Sequence, residues 1–208
     1  MNEKTDYFLV YLSGTHGSTG VNRNDYHPWM CRTCRLPRPD VTSIDFQIDS
    51  RSPELPYMDA DIYMEVAFAR RDFLERMGQD VIREYLYLGE LRNCDGDLLE
   101  DWVTFRGKNR ILLRGRKRVH KGKTVTGYRC CDTCGAIMYH GEAPHYLCPA
   151  PPAGVRILEG GAGTLVVTRD LFEKLSPKKS RDLDFYQLPV LEEPLDDLPV
   201  ELKCPKPD

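Results

Sequence analysis

CRTCR at residues 31–35 and RCCDTCG at residues 129–135 carry the same Cys-x-Thr-Cys pattern, one hundred residues apart. Two thiolates at this spacing on a tight turn, or knuckle, reach one metal ion, and a tetrahedral structural zinc site needs two knuckles. A site shared by both would join the two halves of the chain and contribute directly to folding. We therefore predict one structural zinc ion with four ligands: Cys31, Cys34, Cys131 and Cys134.

Two other arrangements of the cysteines also fit the sequence. Cys131 and Cys134 are followed by His145 and Cys148, which gives a one-segment zinc site of three cysteines and a histidine. That site would leave the pair at 31 and 34 redundant or redox-linked. A further alternative is a protein without metal, in which the thiols are free or form an adventitious disulfide.

The residue after each cysteine pair differs between the two motifs. Gly135 follows the second pair, and a glycine lets such a turn enter the left-handed conformation without a steric penalty. Arg35 stands at the corresponding position of the first pair. The first knuckle is therefore the less certain of the two.

The segments that follow the two motifs also match each other. RDFLERM at 71–77 and RDLFEKL at 169–175 agree in chemical type, and each comes a little under forty residues after its cysteine pair. Apolar residues at helical spacing after an Arg-Asp start predict a helix, since an early carboxylate favours the helix dipole. We predict an α+β fold made of two similar knuckle-strand-helix-strand halves, residues 1–100 and 101–208, with the boundary between Arg92 and Arg106.

Composition favours a soluble cytoplasmic protein. The chain has 41% hydrophobic and 29% charged residues and a net charge of −3. No segment approaches the roughly 18 apolar residues of a membrane span, and the amino-terminal apolar run is shorter than a signal-peptide core. In a reducing cytoplasm, paired cysteines favour a metal site over a disulfide framework.

Charge is unevenly distributed along the chain. Residues 106–123 contain nine Lys or Arg and no acid, which predicts the solvated face of a β-hairpin or, as an alternative, a nucleic-acid contact. The carboxyl-terminal segment is acidic and rich in proline. It is either a solubilising tail or a contact for a protein partner, with four candidate residues: Glu192, Glu193, Asp196 and Asp197.

Motifs for catalysis do not assemble in this sequence. His140 and Glu142 have the His-x-Glu spacing of zinc deaminases, but the cysteine pair precedes them instead of following. The glycine-rich residues 13–20 lack the Gly-Lys-Ser/Thr of a phosphate loop. We therefore predict a protein that is not an enzyme, and keep a metalloenzyme that uses His140, Glu142 or His145 as the weakest hypothesis.

The two knuckles, each followed by a strand and a helix, together with TLVVTRDLFEKL at 164–175 and LDFYQLPV at 183–190, resemble the double-CXXCG motif proteins. This bacterial family includes immunity proteins of polymorphic toxin systems. The resemblance covers most of the chain, and the second motif is intact, whereas Arg35 replaces the glycine of the first. It implies a cytoplasmic protein that binds and neutralises a cognate toxin. The alternative from the residues themselves is a zinc-ribbon regulator that contacts nucleic acid through residues 106–123.

Overall fold

A computed structural model of the chain shows an α+β fold in which strands predominate. No helix in the part of the chain given below is long and apolar enough to cross a membrane. The structure describes residues 6–12, 28–61, 66–116, 118–125, 129–138, 142–160, 164–176, 183–196 and 200.

The secondary structure alternates short strands with three short helices in these ranges. The first elements are β1 (Tyr7–Leu12), β2 (Phe46–Gln47), β3 (Met58–Asp61), β4 (Val66–Arg70), α1 (Arg71–Glu75), α2 (Gln79–Tyr85) and β5 (Leu86–Arg92). The next are β6 (Leu98–Gly107), β7 (Arg114–Arg116), β8 (Arg118–His120), β9 (Lys123–Val125), β10 (Arg129–Cys130) and β11 (Ile137–Met138). The last are β12 (Glu142–Tyr146), β13 (Ile157–Glu159), β14 (Leu165–Thr168), α3 (Arg169–Leu175) and β15 (Leu183–Leu188).

Two sheets form the body of the described structure. Their strand orders are β2-β5-β6-β4-β3 and β13-β14-β1-β15. Strand β1 precedes the first knuckle, yet it lies between β14 and β15, which follow the second knuckle. Strand β6 precedes the second knuckle and lies between β4 and β5, which follow the first. Strands β1 and β6 are therefore exchanged: each is an inner strand of the sheet formed mainly by the other half of the chain.

The exchanged strands occupy the same register in the two sheets. Ala67, four residues before α1 begins, pairs with Phe105 of β6. Leu165, four residues before α3 begins, pairs with Val10 of β1. On their other sides, the same residues of β6 and β1 pair with β5 and β15. The sheets β3-β4-β6-β5 and β13-β14-β1-β15 therefore correspond strand for strand.

One large core joins the two sheets and the three helices. Phe73 and Leu74 of α1 and Leu171 of α3 are buried in the same cluster as Val10 and Val103 from the two exchanged strands. Full burial of a side chain of this size contributes about 1.5–3 kcal/mol. Helices of seven or fewer residues are too short to be stable alone. Packing of their apolar faces in this shared core therefore stabilises them.

The helix predictions are confirmed in part. Helix α3 has the predicted bounds, whereas α1 ends at Glu75, two residues early. Helix α2 was not predicted: residues 79–85 are helical, and β5 begins at Leu86. Gly78, at φ 100°, separates the two helices. The boundary predicted between Arg92 and Arg106 falls in the β5–β6 hairpin, and residue 100 lies within β6.

Candidate metal centre

The four cysteines of the two knuckles lie together in the structure. Their sulfur atoms are all within 4.8 Å of one another. The Sγ atoms of Cys31 and Cys131 are 3.8 Å apart, and those of Cys34 and Cys134 are 3.6 Å apart. Two of these side chains, Cys31 and Cys131, are buried, and the other two are half-buried.

The sulfur spacing fits a tetrahedral metal ion. A metal with Zn–S bonds of 2.3 Å has ligand sulfurs about 3.8 Å apart, since a tetrahedron's edge is ~1.63 times its centre-to-vertex distance. The Sγ–Sγ distances given above for the two cysteine pairs, 3.6 and 3.8 Å, are close to this edge length. Four thiolates form the donor set of a closed site, because they leave no coordination position for water or a substrate. These residues can therefore hold a structural metal ion.

The two knuckles have the same backbone geometry. In each, the N–H after the second cysteine donates to the carbonyl of the first, and the N–H of the first cysteine donates to a carbonyl five residues later. The pairs are Arg35 to Cys31 at 2.9 Å, Gly135 to Cys131 at 2.8 Å, Cys31 to Leu36 at 2.9 Å and Cys131 to Ala136 at 2.9 Å. The knuckles also touch each other, because the Oγ1 atoms of Thr33 and Thr133 are 2.7 Å apart.

Backbone N–H groups favour the thiolate form of one cysteine in each knuckle. Burial acts to raise the pKa of Cys31, but hydrogen bonds from the N–H groups of Cys34 and Thr33 outweigh it and lower the pKa to about 6. The pKa of Cys131 is lowered by corresponding contacts, again against the effect of burial. The pKa values of Cys34 and Cys134 are raised, chiefly by burial. Because a metal binds thiolates, each knuckle offers one ligand that ionises readily.

Arg35 adopts the conformation for which glycine was expected. Its φ is 61°, and Gly135 has φ 71° at the corresponding place in the second knuckle. A side chain in this left-handed region costs roughly 1–2 kcal/mol. The first knuckle therefore has the same shape as the second despite its arginine.

Replacing Arg35 by glycine is expected to raise the free energy of unfolding by about 1 kcal/mol, because the left-handed strain is removed. Gly135→Ala introduces that strain and is expected to lower it by a similar amount. Arg35→Ala is the matched control, since it removes the long side chain and keeps the strain. Urea unfolding of the three variants measures the effect, and an Arg35→Gly protein no more stable than Arg35→Ala would contradict it.

The alternative ligands His145 and Cys148 lie elsewhere. Among the described residues, the metal-binding group consists of the four knuckle cysteines and includes neither of these two. The thiol of Cys148 faces the carbonyl of Glu192, at 3.8 Å. His145 is half-buried on β12, and its Nδ1 atom has no hydrogen-bond partner among the residues that the structure describes. Burial lowers the pKa of His145. His140 lies outside the described residues.

The predicted acidic contacts divide into two kinds. Glu192 and Glu193 are exposed. Asp196 is buried in an ion pair with Arg114 and accepts a hydrogen bond from the Tyr146 hydroxyl at 3.0 Å. Asp196 therefore stabilises the fold and is not available as a surface contact. Asp197 lies outside the described residues.

The basic segment 106–123 does not form one continuous charged face. A β8–β9 hairpin is confirmed, with Lys121 and Gly122 at positive φ in its turn. Arg106 is buried and donates to the carbonyls of Arg38 at 3.1 Å and Val41 at 2.9 Å. Arg114 is buried against Asp196. Two arginines of the segment are thus engaged inside the protein, away from any phosphate backbone.

A groove of about 430 Å³ borders the cysteine cluster. Arg32 and Arg38 are among its lining residues, beside Cys31 and Cys134. A divalent ion with four thiolates has a net charge of about −2, and the two arginines bring positive charge to the groove that borders the centre. Arg38 also pairs with Asp40, at 3.4 Å.

No family model and no curated protein matches the chain. The proposals that follow therefore depend on the residues and their geometry, together with the sequence resemblance described above.

Proposed function

We propose that this protein binds and neutralises a cognate bacterial toxin, on a scaffold held together by one zinc ion. The observation that supports the scaffold is the convergence of four cysteine sulfurs within 4.8 Å of one another. A metal with four protein ligands has no open position for chemistry, so it serves stability. The resemblance to the double-CXXCG proteins supports the choice of a toxin as partner. A rigid, non-catalytic scaffold is suited to inhibition by stoichiometric binding.

Zinc is the proposed metal because of the donor set. Four thiolates select zinc or iron among biological metals, and zinc is the usual ion of closed Cys₄ structural sites. The four ligand cysteines must be reduced to bind it. Cys31 and Cys131, with their lowered pKa values, are the ligands we expect to ionise first.

The zinc is proposed to join two copies of one structural unit. Each copy comprises a strand, a knuckle, further strands, a helix and a final strand. The matching registers of β1 and β6 support this duplication, as do the identical hydrogen bonds of the knuckles. A further pair agrees as well: Ile48 N–H donates to Arg92 O, and Leu147 N–H donates to Pro189 O, both at 2.9 Å. In this account the metal links two halves that already exchange a strand.

Co-expression with a bacterial toxin whose gene adjoins that of this protein is the test of the proposed function. We expect protection of the cells, a purified 1:1 complex, and inhibition that is complete when the two proteins are equimolar. Stable binders of this kind bury about 1,200–2,000 Å² of total surface. Inhibition by far less than one equivalent would indicate turnover and contradict a binding mechanism. Full toxicity in the presence of the folded, zinc-loaded protein would contradict the proposed partner.

A further inference from the structure

The chain that follows β15 is fixed to the body of the protein at several points. We call residues 189–196 the anchored loop. Leu147 N–H donates to Pro189 O, and Leu191 N–H donates to Leu147 O, both at 2.9 Å. Near the other end, the Leu195 N–H donates to the Tyr146 hydroxyl at 2.8 Å. The backbone of the loop is therefore held in one conformation.

A buried ion pair closes the end of the anchored loop. The side chains of Arg114 and Asp196 are 1% and 3% exposed and contact each other directly. Arg114 also donates through Nε to the carbonyl of Cys148 at 3.0 Å. Tyr146 donates to Asp196 and accepts from the Leu195 N–H, so one hydroxyl connects the ion pair to the loop backbone.

The anchored loop presents an apolar side chain to solvent. Leu195 is 66% exposed although its own N–H is bonded and the next residue is buried. Glu192 and Glu193 are exposed on the same loop. Burying a leucine side chain contributes about 1.5–3 kcal/mol, and a prefixed backbone lowers the entropy lost when the loop is bound. Such a leucine has the properties of an interface anchor.

The sheet that contains β15 is exposed at a position where the other sheet is covered. Gly89 of β5 and Tyr186 of β15 occupy corresponding positions in the two sheets. Gly89 pairs with Thr104 of β6, and Tyr186 pairs with Leu9 of β1. A side chain at Gly89 would overlap the carbonyl oxygen of Ile44, which covers the first sheet there. Tyr186 is 54% exposed. Leu195, Tyr186 and Val200 are the three most exposed large apolar residues of the described structure.

We propose that the anchored loop is the surface that binds the partner protein, with Leu195 inserted into an apolar pocket that basic residues surround. This inference rests on the proposed function and names the site that carries it out. Leu195 supplies apolar area that becomes buried in the interface. Glu192 and Glu193 face the basic residues around the pocket and accelerate association at low salt. The Arg114, Asp196 and Tyr146 contacts hold the loop ready for binding.

The rigidity of the loop has a test that does not involve a partner. Tyr146→Phe removes the hydroxyl that accepts the Leu195 N–H, and it leaves the exposed side chains unchanged. Amide hydrogen exchange is expected to accelerate at least tenfold at Leu195 and to remain unchanged in β1 and β14. Equal exchange at Leu195 in wild type and variant would overturn the anchoring.

Binding is measured with an inactivated variant of the toxin used in the co-expression experiment. Leu195→Ala is expected to weaken binding at least tenfold, mainly through faster dissociation. Leu98→Ala is the matched control, since Leu98 is 43% exposed on β6, and its affinity is expected to match wild type. Glu192→Gln with Glu193→Gln is expected to slow association at low salt and to have little effect at high salt.

The outcomes separate the two proposals. Wild-type affinity in Leu195→Ala, with zinc content and melting temperature intact, overturns the binding loop and leaves the proposed function standing. A wild-type protein that does not bind the toxin overturns the proposed function and this inference with it. Loss of affinity in both Leu195→Ala and Leu98→Ala also contradicts the loop, because the effect is then not specific to it.

Discussion

Cys131→Ser is expected to abolish zinc binding and to remove the cooperative thermal unfolding transition. Binding of structural zinc contributes about 10–16 kcal/mol of folding free energy in small zinc-dependent peptides, more than the net stability of many domains. Cys131 is buried, 3.8 Å from Cys31, so its loss breaks the link between the knuckles. Metal analysis and differential scanning calorimetry measure both effects. We expect the largest loss of any single substitution here.

Two controls distinguish metal loss from the loss of any thiol. Cys94→Ser removes a free, half-buried cysteine beyond β5, and Cys148→Ser removes a ligand of the alternative zinc site. Both variants are expected to retain full zinc. Chelation of wild-type zinc should lower the melting temperature as the Cys131 substitution does. A Cys131→Ser protein that melts as wild type does would contradict a structural role for the centre.

Asp196→Asn is expected to lower the free energy of unfolding by about 3–5 kcal/mol, because it removes the carboxylate charge that contacts the buried Arg114 directly. Asp196 and Arg114 lie on segments far apart in sequence, and Tyr146 bonds to the same carboxylate. The destabilisation should appear in urea unfolding with zinc content unchanged. The loop residues that precede Asp196 should also become more accessible to protease.

The matched control for this change is Glu193→Gln, which removes one negative charge from an exposed side chain of the same loop. Its effect is expected within about 0.5 kcal/mol of wild type. The double variant Arg114→Met, Asp196→Leu should recover most of the loss, since apolar residues of similar volume replace buried ion pairs well. An Asp196→Asn protein as stable as Glu193→Gln would contradict a stabilising ion pair.

Local patterns predicted the parts of the structure that depend on local sequence. The Cys-x-x-Cys spacing placed two thiolates on each knuckle, and the shared Thr-Cys pattern suggested that the knuckles meet. Helix α3 was predicted at its observed bounds because an apolar strand gives way abruptly to RDLFEKL. The helix α2 also carried a signal that was overlooked: Val81, Ile82 and Tyr85 recur at helical spacing and are all buried.

Long-range pairing was not predictable from those patterns. The run YFLVYL of β1 is apolar enough to pair with either sheet, and nothing within it specifies β14 and β15 as neighbours. The exchange of β1 and β6 is decided by the whole core, which includes both sheets. Asp196 likewise belongs to an acidic run that suggests a solvated tail, and its burial depends on Arg114, 82 residues away.

One metal ion is proposed to be shared by both knuckles. Zinc K-edge X-ray absorption, combined with metal content, tests it on the wild-type protein and on the double variant Cys31→Ser, Cys34→Ser. We expect one zinc per chain in the wild type, with four sulfur ligands at about 2.3 Å, and loss of that zinc in the double variant. Full zinc retention by the double variant, with a nitrogen ligand such as His145 in the shell, would contradict the shared centre.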